Sequence, residues 1–392
     1  MTESSPGKAK RPRPLVLDVH VPAESRSYPV LIGRGAASRL GTELQQRLGA
    51  PGATVALVSD QMVFAHHGAA IQHNLEAAGF TVLPIVVPAG EAYKTMPTLL
   101  TALDAMIGGG MGRRDAVVAL GGGVIGDLSG MAAALFMRGI PVVQCPTTLL
   151  AQVDASVGGK VAVDLPAGKN MVGAFHFPLF VLVDPELLAT LADREFVQGL
   201  AEMVKHALLF SPDHLTDMLA AADAIHARNF DVIAPLVATS VGLKAACVGR
   251  DPWEQGEAGK GRVLLNLGHT VGHAIEAASN YTVPHGEAVA LGLRAAARIS
   301  ERKAVAEAGL EQLVTAALTR LRLPTDLDEW LTGERGAAVE KAILLDKKRA
   351  AGTASYVALA RVGEPFVLTL PLREIMGLLR QRPSGPAPVA DS

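Results

Sequence analysis

Three of the 11 histidines in this 392-residue chain fall within one short stretch, LLNLGHTVGHAIEAASNYTVPHGEAV, residues 264–289. His269 and His273 are four residues apart, about one helical turn, so they share a helix face; His285 follows on the next element, directly before Gly286 and Glu287. This grouping suits a catalytic divalent metal, which takes three protein ligands and keeps positions open for substrate. A further ligand should be a carboxylate from another helix. Glu202 in GLAEMVKH is the candidate, because a carboxylate among small apolar residues is costly unless partnered. Any one of these histidines, taken alone, is more often a satisfied core or helix-end residue, and the spacing leaves open which of them bind.

Two further groups could handle phosphate. GGGVIGD (121–127) follows an apolar strand and opens a helical pattern, where Gly122 and Gly123 would let the backbone approach a pyrophosphate and Asp127 sits on the first turn. Its spacing is not G-x-G-x-x-G, and a tight strand-to-helix turn explains it equally. Asp60 in VSD is an acid suited to an adenosine ribose, and Glu91 and Lys94 in PAGEAYKT form a third polar loop at the same sheet edge. The segment 146–175, PTTLLAQVDASVGGKVAVDLPAGKNMVGAF, reads as a long loop holding Asp154, Lys160, Lys169 and Asn170. Both lysines follow glycine, where bare backbone admits an anion that the ammonium neutralises. A phosphorylated or carboxylated substrate is expected.

The elements that must carry these residues divide into two kinds. Apolar, β-branched runs at 54–60, 81–87, 115–123, 141–146 and 180–185 alternate with helical patterns, which predicts a parallel sheet covered on both faces, with ligands beyond the strands' carboxyl ends. From about Asp193 the chain becomes Ala- and Leu-rich with helical period, apart from a small hairpin expected over 354–370. The reading is therefore α/β: a Rossmann-like parallel-sheet domain over 15–188, a mainly α-helical domain over 189–382, and disordered tails at 1–14 and 383–392. No apolar run reaches the roughly 20 residues of a membrane span, and the first residues lack the apolar stretch of a secretion signal. Charges nearly balance, 36 basic against 38 acidic, so nothing overall points to nucleic acid or an anionic membrane. Cys145 and Cys247 show no pairing pattern, and a cytoplasmic location is expected.

The motifs GGGVIGDLSG, MRGIPVVQCPTTLLAQVDASVGGK, GKNMVGAF, GLAEMVKH, LLNLGHTVGHAIE, HGEAVALG and LDKK, running in order from about residue 55 to 350, resemble those of the 3-dehydroquinate synthases. That resemblance implies an N-terminal NAD-binding α/β domain, a C-terminal helical domain, a bound zinc or cobalt ion and a homodimer. It implies Glu202, His269 and His285 as metal ligands, with His273 as a proton-relay neighbour. For NAD it implies Asp60, Glu91, Lys94, Gly122, Gly123, Asp127, Thr147, Thr148 and Lys169. For substrate it implies Asp154, Lys160, Asn170, Lys205, Lys244, Arg262, Asn266 and Lys347, with Lys348 the alternative to Lys347, Arg138 reaching in from the neighbouring subunit, and Glu254 aligned with a proton-transfer residue. The implied reaction turns 3-deoxy-D-arabino-heptulosonate 7-phosphate into 3-dehydroquinate and phosphate, through transient oxidation by NAD, phosphate elimination, re-reduction and internal aldol closure. The chain departs from the family pattern at DPWEQGEAGKGR (251–262), which is a few residues longer. It departs again at Val161 and Asp164, where threonine and asparagine are usual, and at SNYTVPHGE. A cyclase acting on a sugar phosphate without a carboxylate would be expected to lack the Arg262 and Asn266 pair. A polyol dehydrogenase would be expected to lack the lysine-rich loops.

Overall fold

The computed structural model describes residues 27–256, 260–345 and 352–381. Six strands form one all-parallel sheet in the order β1-β8-β5-β4-β2-β3: β1 (Val30–Ile32), β2 (Thr54–Asp60), β3 (Thr81–Val87), β4 (Ala116–Gly121), β5 (Val142–Pro146) and β8 (Phe180–Val183). The β-branched runs form strands because both faces are covered. Along β2, Val55 and Leu57 pack on one side with α1 (Leu40–Leu48) and α2 (Ala69–Ala77), while Ala56 and Val58 pack on the other with α3 (Met96–Gly108) and α4 (Gly123–Leu135). Pro84, which cannot donate to a ladder, lies on the edge strand β3. Strand order reverses between β2 and β4, so Asp60 and Gly121 flank the crevice that such sheets use for ligands.

The segment 146–175 is not a plain loop. After a π-helical turn (Ala151–Ala155) it forms an antiparallel hairpin of β6 (Lys160–Leu165) and β7 (Gly168–Phe175). The alternation of KVAVDL buries Val161 and Val163 against α4, where Gly130 leaves no room for a side chain: a Cβ there would stand 2.3 Å from Val161 Cγ1. The Gly-rich flanks made this stretch read as irregular. The three-residue β1 also gave no signal in the sequence.

The helical half comprises α5 (Asp193–Phe210), α6 (Pro212–Ala220), α7 (Phe230–Arg250), α8 (His269–Ala278), α9 (His285–Arg302), α10 (Leu310–Arg320), α11 (Gly333–Leu345) and α12 (Leu372–Arg380). The expected hairpin is β9 (Thr353–Arg361) with β10 (Glu364–Pro371). One expectation needs correction: α7 is long and apolar enough to cross a membrane by length and composition. Ile233, Val237, Ser240, Val241 and Lys244 on it are buried within the helical core. Its apolar run is explained by that packing. Helices α8 and α9 pack in close contact, Gly292 against the backbone of Gly268 and Gly272 against that of Ala288, which lies in the first turn of α9.

Candidate active site

The three expected metal ligands converge. Glu202 lies on α5 and is fully buried, His269 opens α8, and His285 opens α9. Glu202 Oε1 is 3.7 Å from His269 Nε2 and 3.4 Å from His285 Nε2, and one ligand atom from each of the three lies within 4.8 Å of the others. His269 Nδ1 is 3.1 Å from the Leu267 carbonyl, which can only accept; the proton therefore sits on Nδ1 and the Nε2 lone pair faces Glu202. His285 Nδ1 is 3.3 Å from Glu276 Oε2, which orients that ring in the same way. Neither Glu202 oxygen accepts a well-formed hydrogen bond, although the Lys205 ammonium lies against Oε2 as an ion pair. Two imidazole lone pairs and one carboxylate, each oriented by an outer partner, fit a divalent metal. Burial pushes the His269 pKa down to about 3. Burial opposes a proton on His285 too, yet the neighbouring carboxylates of Glu202 and Glu276 outweigh it and raise that pKa to about 10.

His273 is exposed at the rim, its ring centroid 5.1 Å from that of His269 and its Nε2 3.9 Å from Glu276. It does not join the Glu202 group. Next to the trio stands a buried charge cluster. Asp154, on the π-helical turn, is 2.8 Å from Lys244 Nζ and 3.8 Å from Lys205 Nζ. Burial works against its charge, but the two ammonium groups prevail and hold its pKa well below the usual carboxylate range. Four residues on, the Gly158 carbonyl accepts from Arg262 Nη1 at 2.8 Å, and Pro252 O accepts from the same nitrogen at 3.0 Å. Arg262 is thus buried and fixed over the face of Phe175. Asn266 ends the same short 3₁₀ turn and is exposed.

At the sheet edge, Lys94 is buried and bridges Asp127 Oδ2 at 2.5 Å and Asn170 Oδ1 at 2.6 Å. Burial raises the Asp127 pKa to about 6 against the opposing charge of Lys94. Asn170, expected near substrate, accepts from Lys94 and so stands close to Asp127. Gly122 caps α4, and a Cβ on it would stand 2.9 Å from Thr148 Cγ2. Thr147 Oγ1 is buried with no partner among the described residues, while Thr148 Oγ1 caps the following turn. Asp60 accepts from the amides of Met62 and Val63. Lys169 lies 3.3 Å from Glu91 and over the Tyr281 ring. Lys160 pairs with Glu254, so the lengthened 251–262 loop does deliver that glutamate to the hairpin. Arg138 is exposed, in left-handed backbone after α4, and makes no ion pair among the described residues. Lys347 and Lys348 lie outside the described residues.

Two members of this site escaped the sequence reading. His206, at i+4 from Glu202, and Glu276, at i+3 from His273, carry the helical spacing that could have flagged them.

The fold and the metal-type trio define a class. A solved 2-epi-5-epi-valiolone synthase from Streptomyces hygroscopicus subsp. jinggangensis, with NAD+ and Zn2+ bound, superposes with a TM-score of 0.80 at 25% identity, over 92% of this chain and 98% of that one. A solved 2-deoxy-scyllo-inosose synthase, complexed with carbaglucose-6-phosphate, NAD+ and Co2+, shares the fold at a TM-score of 0.78 and 24% identity, over 91% and 97%. The chain belongs to the 3-dehydroquinate synthase family: residues 84–198 match its N-terminal family model and 199–349 its C-terminal one. A 3-dehydroquinate synthase of Symbiobacterium thermophilum is 43% identical over 87% of this chain and 93% of its own length. One of Rhizobium etli is 40% identical over 94% and 97%.

Proposed function

We propose that this chain converts 3-deoxy-D-arabino-heptulosonate 7-phosphate to 3-dehydroquinate and phosphate, as a phosphate-eliminating carbon-oxygen lyase that uses NAD and a divalent zinc or cobalt ion. The observation that carries the reading is the set of buried cations, Lys205 and Lys244 around Asp154 beside the trio and Arg262 held by the Gly158 and Pro252 carbonyls. A substrate bearing both a phosphate and a carboxylate needs several fixed cations, and the planar fork of Arg262 suits the carboxylate. A cyclase for substrates without a carboxylate would be expected to lack the Arg262 and Asn266 pair that this chain keeps.

Glu202, His269 and His285 hold the metal; Asp60, Glu91, Lys94, Gly122, Gly123, Asp127, Thr147, Thr148 and Lys169 hold NAD at the crevice where strand order reverses. When bound, NAD takes and returns a hydride and the metal polarises the substrate hydroxyl. Asp154 holds a substrate hydroxyl between Lys205 and Lys244. Lys160, now paired with Glu254, exchanges that partner for a substrate anion and frees Glu254 for proton transfer. Asn170, Asn266 and Lys347 or Lys348 complete the substrate contacts, and His273 relays protons at the rim. The chain works as a homodimer in which the exposed Arg138 serves the neighbouring site. It divides into a nucleotide-binding unit over 15–188 and a metal and substrate unit over 189–382. Two buried, unpaired cysteines accord with a cytoplasmic location.

The test mixes purified protein with NAD, zinc and the heptulosonate phosphate, and follows phosphate, NADH and the carbocyclic product together. Equal yields of phosphate and dehydroquinate without net NADH support the reading. No phosphate release, with turnover of heptulose or hexose phosphates instead, moves it to another cyclase, and steady NADH production from a polyol moves it to a dehydrogenase.

A further inference from the structure

His206 is fully buried on α5, and nothing above gives it work. Its Nδ1 lies 2.8 Å from Ser240 Oγ on α7, also fully buried, and its Nε2 lies 3.4 Å from Asp154 Oδ1. Two proton arrangements are open to this line. If Nδ1–H donated to Ser240, the Nε2 lone pair would face the Asp154 anion, and the serine hydroxyl proton would be left without an acceptor. If the Ser240 hydroxyl donates to Nδ1, then the hydroxyl has its acceptor and Nε2 carries the proton, so that a positive N–H edge rather than a lone pair stands 3.4 Å from the carboxylate. A lone pair facing an anion repels it where an N–H attracts it, so the second arrangement prevails. A metal on Asp154, Glu202 and His206, whose ligand atoms also cluster, is ruled out by the ammonium groups of Lys205 and Lys244 standing among those atoms.

We propose that His206, set by Ser240 in its Nε2–H form, is a positioning residue that fixes the Asp154 carboxylate between the two lysines. The inference rests on the functional reading above for what Asp154 does. At 3.4 Å the contact is long and lacks hydrogen-bond geometry, as active-site hydrogen bonds commonly do before substrate draws them tight. Lys205 and Lys244 supply charge to Asp154 from flexible stems. The imidazole supplies direction from a buried ring that Ser240 holds at Nδ1.

The test uses the metal-loaded enzyme and three variants. Ser240→Ala removes the donor to Nδ1, His206→Gln keeps an N–H near the place of Nε2, and His206→Met keeps bulk alone. Nitrogen-15 spectra of histidine-labelled protein are expected to show the Nε2–H tautomer for His206 in the wild type and its loss in Ser240→Ala. Turnover is expected to fall by about 10–100-fold in Ser240→Ala and His206→Met, the usual scale for an outer partner of an active-site ligand. His206→Gln should recover most of it, and all variants should keep one metal per chain and the wild-type KM for NAD. A wild-type Nδ1–H tautomer, or full turnover in Ser240→Ala, overturns the proposal. If His206→Met does not fold, the isosteric Ser240→Ala decides alone. A wild type without synthase turnover would sink the functional reading, and the spectrum would still decide the tautomer.

Discussion

Gly292→Ala gives the sharpest check on how the metal trio is assembled. A Cβ at this position on α9 would stand 1.9 Å from the Gly268 carbonyl oxygen, and close carbon-to-oxygen contacts in proteins are about 3.3 Å. The obstacle is backbone rather than a movable side chain, so α8 and α9 must part by on the order of 1 Å. Gly268 directly precedes His269, and His285 lies two turns before Gly292, so the displacement falls between two of the proposed ligands. Ligand distances tolerate only about 0.2 Å. Overpacking costs about 3 kcal/mol at the upper end, and alanine's better helix propensity returns about 1, which leaves a net loss of about 2 kcal/mol. Metal affinity should fall at least about tenfold, or about 1.4 kcal/mol. Chelator competition would read the affinity and urea unfolding the stability. Gly242→Ala on α7, where a Cβ meets nothing within 4 Å, is the control and should cost neither. Wild-type metal affinity together with an unchanged urea midpoint in Gly292→Ala would refute the idea that this glycine contact sets the site.

Three other outcomes follow from the site. His269→Ala should abolish metal binding and turnover with an unchanged circular dichroism spectrum; full metal content would remove Glu202, His269 and His285 from their assigned role. The His285 proton stabilises the metal-free fold fully below the ordinary value of about 6.5 and is lost as pH rises through about 10. Metal must displace that proton, so apparent affinity should rise about tenfold per pH unit from 7 towards 10 and one proton should appear in calorimetry, whereas a flat profile contradicts the assignment. Burial drives the Cys145 thiol pKa up to about 12 and also raises that of Cys247, so neither should react with a thiol reagent until urea unfolds the chain; prompt labelling of either would show that it is not buried.

The sequence revealed most where a signal is local and periodic. The runs at 54–60 and 81–87 became strands with those bounds, and the i, i+4 pair His269 and His273 lies on one helix. What stayed hidden depends on partners distant in the chain. Asp154 and Lys244 meet across 90 residues, and only their meeting shows that the turn at 151–155 points into the metal site. The resemblance gives Asn170 to the substrate, and no local signal shows that Lys94, 76 residues earlier, donates to it. The β6–β7 hairpin was illegible for a physical reason: its glycines, among them Gly168 and Gly173, mimic loop composition, while at Gly173 the opposing strand leaves a Cβ only 2.7 Å from Val161 O.

That hairpin also limits how the protein could be recombined with a relative. Asp164 accepts from the backbone of Asn170, its own amide donates to the Lys94 carbonyl, and Lys160 reaches Glu254 while Lys169 reaches Tyr281. One small two-stranded piece is therefore stitched to partners on either side of residue 188. A chimaera cut at that residue would separate the hairpin from Glu254 and Tyr281, half of the seam it was fitted to. Exchange of parts between relatives should succeed only when residues 160–175 travel together with the 251–262 loop and Tyr281.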